Sequence, residues 1–362
     1  MRPSSSDSRS AIAIVGAGII GLSIAWRLAR ARFKVSLFDQ GKAGGEASWA
    51  GAGMLAPGGE IDESDELATL AVESRRMYTD FVSELEECCG LSIDFQPCGA
   101  LDVAYSQSEM EALDARAERQ ALLGIQSKRI STSHVTAFWP RVRREGLTGA
   151  RFYPKDAVVN PRELTHALKQ VCGRRQYIEI TEYCRVVALH IASDGVRVEH
   201  EHGSAKCDVA IVAAGAWSGA IELSGAPPLP KTEPVKGQLI GYQQPEQTCN
   251  TIVRHGHTYL LQRANGLLIA GSSMERVGFD PEVNPFIESE IESRAGYVMP
   301  HLAETTKSES WMGFRPASDK LHIGWHSPRL LLAYGHFRNG ILLAPVTAER
   351  IFNEVNANWQ TP

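Results

Sequence analysis

The segment from Ala11 to Asp39 restricts the fold of this 362-residue chain more than any other. Ala11-Ile-Ala-Ile-Val15 is a continuous apolar run, the pattern of a strand buried on both faces of a parallel sheet. Gly16-Ala-Gly-Ile-Ile-Gly21 follows without a break. Leu22, Ala25, Trp26, Leu28 and Ala29 then recur at helical spacing, and Lys34-Val-Ser-Leu-Phe38 supplies a second strand that closes on Asp39. Strand, glycine turn, helix, strand and acid in that order form a phosphate cradle. Gly16, Gly18 and Gly21 remove side chains that would hold a pyrophosphate away from the backbone, and the helix opens with unpaired N–H groups toward it. Asp39 stands 23 residues after Gly16, where an acid can accept from a ribose 2′-hydroxyl. A bound dinucleotide is therefore expected.

Farther along, Leu67, Leu70, Ala71, Met77, Tyr78, Phe81, Val82 and Leu85 trace a long amphipathic helix from Glu66 to Cys89. A second helix is expected over Ser108–Leu123 and another after the Pro-flanked turn at Asp156–Arg162. Strands follow near 178–190 and 196–202. The segment from Asp208 to Trp217 again reads as a buried strand ending in glycine. From 234 to 334 short strands dominate (Val235–Tyr242, Thr258–Gln262, Leu267–Gly271, Ser310–Phe314, Leu330–Tyr334), which suggests an antiparallel sheet. A final helix runs from about Gly340 to Asn356. Pro345 is acceptable only in a first turn, so that helix is expected to begin near Leu342.

The fold class is α/β, an α+β arrangement of two domains. A discontinuous Rossmann-type dinucleotide-binding domain is expected from residues 11–60, 150–225 and 315–355. A mixed antiparallel-sheet substrate domain takes 61–149 and 226–314, and the Ser-rich residues 1–10 read as a flexible tail.

The formal net charge of −5 leaves no basic excess to neutralise phosphates, so nucleic acid and anionic membrane are not expected partners. Seven cysteines (Cys88, Cys89, Cys98, Cys172, Cys184, Cys207, Cys249) show no C-x-x-C spacing and read as reduced thiols in a cytoplasmic setting. The apolar run Ala11–Ala25 behind Arg2 and Arg9 has the outline of a secretory signal, with Ala29-Arg30-Ala31 as a cleavage pattern. Its glycine spacing is better explained by the phosphate cradle, and no run reaches eighteen apolar residues. His255 and His257 have no third ligand at sensible spacing, so no metal site is expected.

Gly44-Gly-Glu-Ala-Ser-Trp-Ala-Gly-Ala-Gly-Met-Leu-Ala-Pro57 is a small-residue loop without helical periodicity, able to lie flat beside an extended cofactor. At these residues the chain resembles the glycine oxidase family, within the D-amino-acid oxidase superfamily of FAD proteins, from Ala11 to about Phe352. The loop Glu46–Leu55 carries the resemblance, together with Ala213-Ala-Gly-Ala-Trp-Ser218, Val277-Gly-Phe-Asp280, Gly313-Phe-Arg-Pro316 and Gly335-His-Phe-Arg-Asn-Gly-Ile-Leu-Leu-Ala-Pro345. It implies FAD contacts from Ile19, Ile20, Asp39, Gln40, Ala47, Ser48, Ala52, Gly53 and Met54, and an adenine contact from Val187, give or take one or two positions. Backbone from His336 through Phe337, Arg338, Asn339, Gly340, Ile341 and Leu342 would border the flavin. Because no cysteine follows Cys249, relatives with covalent flavin are poor models and noncovalent FAD is expected.

On the substrate side an arginine suits a carboxylate anchor, because its planar fork meets both oxygens. Arg315 ends a strand just before Pro316, and the family's arginine in Gly-x-Arg-Pro binds the substrate carboxylate. By the same resemblance Arg338 borders the substrate, Tyr259 covers its carboxylate, and Met274 lines the pocket with Met54. His257 lies two residues before Tyr259, so in a strand both face one side and either can cap the cavity. The implied activity is oxidative deamination of glycine or a small amine (sarcosine, D-alanine) by FAD and oxygen, with hydrogen peroxide formed. In this family the imine feeds thiazole assembly in thiamine synthesis, so a thiazole-synthesis partner and a homo-oligomer are expected. The competing readings are a D-amino-acid oxidase or dehydrogenase of broader specificity and a flavin subunit of a multiprotein amine-oxidising assembly. An NAD dehydrogenase is the weakest alternative. The chain departs from the family pattern at Asp39 (more often Glu), Gly45, Gln262 (usually Pro) and the shortened Ala317–Gly324 turn with His322.

Overall fold

The computed structural model describes residues 11–61, 66–245 and 249–359. The expected flexible tail at 1–10 lies outside them. Two large sheets organise the mixed α/β chain. The first has six strands in the order His322–Ser327, Leu330–Tyr334, Val209–Val212, Ala11–Val15, Lys34–Phe38 and Ile178–Thr181. All pair in parallel except the His322–Ser327 edge. The Ala11–Val15 strand shows why its apolar run is unbroken. Ile12 and Ile14 face one core with the helices Ile19–Arg30, Glu66–Cys89, Pro161–Gly173 and Gly340–Trp359. Ala13 and Val15 face a second core against the antiparallel strands Val186–Ala192 and Gly195–His200. Period-two alternation with both faces dry leaves no polar position in the strand.

The second sheet has eight strands, in the order Glu309–Ala317, Glu233–Gln243, Leu267–Gly271, Thr258–Gln262, Ile252–His255, Ala100–Ala104, Gly149–Tyr153 and Lys128–Ile130. Its pairing is antiparallel except where Ile252–His255 meets Ala100–Ala104. Ile240, Leu260, Leu268 and Ala270 pack on the Pro285–Val298 helix through Ile291, Ala295 and Val298. Leu239, Leu261, Ile269 and Trp311 point the other way, into the central core.

Three expectations change here. Leu330–Tyr334 belongs to the parallel sheet beside Val209–Val212, not to the antiparallel one. Gly149–Tyr153 and Glu309–Ala317 are strands of the eight-stranded sheet, so cuts at 150 and 315 fall inside strands and Arg315 stands on that sheet. The final helix begins at Gly340 and carries Pro345 inside it.

That proline is accommodated by a neighbour distant in sequence. Pro345 has no N–H to offer the Ile341 carbonyl four residues back. The Tyr78 hydroxyl donates to that carbonyl instead, at 2.5 Å. One turn away along the Glu66–Cys89 helix, the Ser74 hydroxyl donates to the Leu342 carbonyl (2.7 Å) and accepts from the Val346 N–H (3.3 Å). Two buried hydroxyls thus splice the first turn of the last helix, which lets it start beside the cleft between the two sheets.

Candidate active site

A cleft between the two sheets encloses about 1730 Å³, its open mouth included. One end is built by the glycine turn. Gly16 takes φ +104°, and a Cβ there would lie 2.4 Å from the Ala213 carbonyl oxygen. Gly18 leaves room for Ser48, whose Oγ accepts from the Ile19 N–H at 2.9 Å at the start of the helix. Gly21 does not reach the cleft. Its missing side chain lets the helix lie against Gly16, since a Cβ would fall 1.9 Å from the Gly16 oxygen.

Asp39 closes this end. Its Oδ2 accepts from the Ala17 N–H (2.6 Å) and its Oδ1 from the Gly41 N–H (2.8 Å), tying the turn to the end of the second strand. Burial pushes its carboxyl above the usual range, while those two backbone donors pull it back. Gln40, Glu46, Ala47 and Ser48 continue the wall. Val187 does not line it, whereas Cys184, Arg185 and Val186 do. A one-residue slip along a strand turns a side chain to the opposite face, which is the size of the discrepancy.

The middle wall is the small-residue loop. Ala50, Gly51, Ala52, Gly53 and Met54 all line the cleft. Gly53 takes φ +93°, where a Cβ would meet the Val159 oxygen at 1.8 Å. The loop is pinned from behind, by Trp311 Nε1 donating to the Ala50 oxygen (2.8 Å) and Arg263 Nη2 donating to the Gly51 oxygen (3.3 Å).

Arg315 and Tyr259 meet at the far end. Arg315 is half-buried and faces the cleft, with Nη2 donating to Ser272 Oγ (2.8 Å) and Nη1 to the Ser273 oxygen (3.0 Å). In the neighbouring strand, a Cβ on Gly237 would lie 2.2–2.3 Å from three guanidinium atoms, so that glycine makes the space Arg315 occupies. Gly271 does the same for Tyr259, whose hydroxyl lies 2.3 Å from where its Cβ would be. The sheet face is hollowed at two strand glycines, and each hollow receives one of these side chains.

The segment from His336 to Ile341 completes this end, with Arg338 exposed at the rim. Leu342 is buried behind it and does not line the cleft. His336 is buried, its Nε2 within 3.0 Å of Thr347 Oγ1, and burial pushes its imidazole down to about 3. It is neutral at physiological pH. Asp39 and Glu46 are the carboxylates lining the cleft among the described residues, and both belong to the opposite end. The Arg315 end therefore combines two guanidinium groups with the N-terminus of the Gly340–Trp359 helix, a field that favours negative charge.

Two expected pocket residues are not brought to the cleft. His257 is exposed, because Gly256 at φ +55° forms a turn and the strand restarts at Thr258. Met274 is 55% exposed, on a segment whose Ser272 and Ser273 hold Arg315. That segment is anchored by Lys236, fully buried, whose Nζ donates to Asp280 Oδ2 (2.7 Å) and the Glu282 oxygen (2.9 Å). Phe279 stacks on Trp217 of the cleft wall with ring centroids 4.8 Å apart. Sequence reasoning missed Gly237, Gly271 and Ser272. A glycine inside a strand is a visible sign of close approach, but the group that fills the space is not.

The residues present fit an extended dinucleotide. The glycine turn presents backbone to a pyrophosphate, the small-residue wall leaves a flat slot, and the final helix points its N-terminus at the far end. The family model described as DAO, FAD dependent oxidoreductase, matches residues 11–353. Glycine oxidase from Bacillus licheniformis is 29% identical over 351 residues, 95% of this chain and 92% of that protein. The bifunctional protein ThiO/ThiG of Nostoc is 31% identical over 352 residues, 94% of this chain and 52% of that longer protein. The crystal structure of glycine oxidase from Geobacillus kaustophilus is similar with a TM-score of 0.90 and 27% identity, covering 96% of this chain and 95% of that one.

Proposed function

We propose, for a chain that belongs to the DAO family of FAD-dependent oxidoreductases, the oxidative deamination of glycine or an amine of similar size such as sarcosine or D-alanine. The observation that carries this reading is the Arg315 guanidinium, held half-buried and facing the cleft by Ser272 and by the space above Gly237. Its fork meets both oxygens of a substrate carboxylate, and each charge-assisted hydrogen bond contributes roughly 1.5–3 kcal/mol. Tyr259 stands beside it, and Arg338 adds positive charge at the rim.

The Gly16–Gly18 turn, Ser48, Asp39 and the Ala50–Met54 wall would hold FAD, which when bound would supply a hydride acceptor for the substrate Cα and an outlet for the electrons to oxygen, giving peroxide. The chain's part is orientation. Arg315 fixes the carboxylate, which leaves the amine and the C–H directed across the cleft. His336, neutral and already paired with Thr347, holds no proton to give. Among the described residues the carboxylates lining the cleft, Asp39 and Glu46, belong to the other end, and hydride transfer from a neutral amine requires no base. The released imine hydrolyses in water to the oxo acid and ammonia or amine.

Arg315→Ala tests the reading. It should lower kcat/KM for glycine by about two to three decades, matching the roughly 3–5 kcal/mol lost when one partner of a buried charge pair is removed. Unchanged glycine turnover removes Arg315 from this role. Bleaching of the flavin band by glycine under nitrogen reads the half-reaction directly.

The reading extends to setting. Some relatives carry a ThiG half fused to a ThiO half, which supports a thiazole-synthesis enzyme as the consumer of the imine. Free thiols support a reducing, cytoplasmic setting, and the reading includes a homo-oligomer that holds FAD noncovalently. Size-exclusion chromatography tests the assembly, and release of FAD on denaturation tests its attachment.

A further inference from the structure

Arg263 is 1% exposed, among the largest fully buried side chains of the protein. Among the described residues no carboxylate lies within ion-pair distance of it. Its Nη2 donates to the Gly51 oxygen at 3.3 Å, and its buried Nε has no partner. The contrast with Arg254 is direct. That buried guanidinium is sandwiched between Asp102 and Asp156. Arg162, near Arg263, stacks on Trp49 and Trp311 and reaches Glu309 at 3.4 Å. Both have a carboxylate in contact; among the described residues Arg263 has one carbonyl as its direct partner.

An unpaired buried cation is costly, and an apolar residue of similar volume is the cheaper occupant of such a site. Desolvation and the neighbouring Arg162 charge pull its pKa down to about 10, against the opposing pull of the Glu309, Asp94 and Glu163 carboxylates beyond contact distance, which still leaves it charged at neutral pH. The position of the charge suggests what offsets the cost. Gly51 is part of the cleft wall, and its missing Cβ would touch Ile341 of the final helix, at the end occupied by Arg315 and Tyr259. One peptide separates the guanidinium from the flavin end of the slot.

We infer that Arg263 is a fixed buried charge that biases FAD toward its reduced, anionic form across the Gly51 peptide. It acts as a positioning residue of electrostatic kind, touching neither substrate nor cofactor. The inference rests on FAD occupying the cleft and stands whatever amine is oxidised. A unit charge about 10 Å away, across a medium of effective dielectric about 20, changes an equilibrium that creates a second charge by about tenfold.

Sulfite reports this without substrate. Its sulfur lone pair adds to N5 of oxidised flavin, forming an N–S bond and placing the electron pair and a negative charge on the ring. The holoenzyme and its Arg263→Lys and Arg263→Met variants are titrated with sulfite at the flavin band, and their reduction potentials and melting temperatures are measured. Arg263→Met should weaken sulfite binding by about tenfold or more and lower the potential, with no loss of melting temperature because an unpaired charge has been removed. Arg263→Lys, which keeps the charge and loses the fork, should bind sulfite within about threefold of the parent. Equal sulfite affinity in Arg263→Met and the parent overturns the inference. So does a Lys variant as weak as the Met variant, which would assign the effect to the fork. Failure of Arg263→Met to fold would overturn it as well, by making the Gly51 hydrogen bond structural.

Discussion

Gly237→Ala moves Arg315 without altering it. Gly237 is not in the left-handed region, so its strand conformation suits any residue, and alanine in a strand is more stable than glycine by roughly 0.5–1 kcal/mol. The new Cβ would stand 2.2–2.3 Å from Nη1, Nη2 and Cζ of Arg315. These are the far atoms of a flexible side chain, so the guanidinium yields while the backbone keeps its register with Glu309–Ala317. Displacing the fork forfeits two charge-assisted hydrogen bonds to a substrate carboxylate, together about 3–5 kcal/mol. Since each 1.36 kcal/mol is about tenfold, kcat/KM for glycine should fall by about two to three decades. Both constants should change, because the anchor aims the C–H as well as binding the acid. The assay is peroxide production over a range of glycine concentrations, beside FAD content and melting temperature. A small amine lacking a carboxylate serves as the internal control, with its rate unaffected. Full glycine turnover in the variant refutes the claim that this hollow exists for the anchor. A collapse in melting temperature with loss of FAD refutes the claim that the side chain, not the backbone, gives way.

Tyr78→Phe should expose the cost of Pro345, because the Ile341 carbonyl loses the donor that replaces its helical one. An unpaired buried acceptor costs about 1–3 kcal/mol, enough to lower the melting temperature of a chain this long by about 1–4 degrees. Since Ile341 lines the cleft, FAD retention on dilution should fall too, and a variant equal to the parent in both measurements refutes the splice. His336 gives a pH signature. Its folded pKa of about 3 lies below the ordinary value near 6.5, so between those values the unfolded chain binds the extra proton. Stability is therefore lost as pH falls through that window, by about 2–3 kcal/mol from pH 7 to 4.5. Urea midpoints at the two pH values should show it in the parent and less of it in His336→Gln; parallel pH slopes would exclude His336 as the source.

The elements most legible in the sequence are those whose pattern is enforced by burial on known faces. Thr258–Gln262, Leu267–Gly271 and Leu330–Tyr334 begin and end where their apolar runs and neighbouring glycines put them, and the Glu66–Cys89 helix follows its apolar stripe. Sheet membership was less legible. Leu330-Leu-Leu-Ala-Tyr334 is apolar at every position, the mark of a doubly covered parallel strand, yet the strands preceding it in sequence drew it toward the antiparallel set. The helix boundary failed for another reason. A local rule about proline is correct for an isolated helix, and a hydroxyl on Tyr78, 263 residues from Ile341, supplies what the rule assumes is missing.

The candidate site divides along the same line. Residues whose role is carried by backbone conformation are readable, because Gly16 and Gly53 take positive φ, a local demand that glycine meets. Residues whose role depends on what lies across a gap are not. His257 shares strand parity with Tyr259 only while the strand continues, and Gly256 ends it. Gly237 and Gly271 are legible as absent side chains, but the guanidinium and the phenol that fill them come from partner strands. Arg263 is the extreme case. A charged residue after Leu260-Leu261-Gln262 reads as the solvent end of a strand, and only the folded chain shows the charge buried behind the loop that walls the flavin slot. Where a sequence pattern says a charge should be wet and the structure keeps it dry and unpaired, the discrepancy itself locates an electrostatic function, because packing alone would select an apolar side chain there.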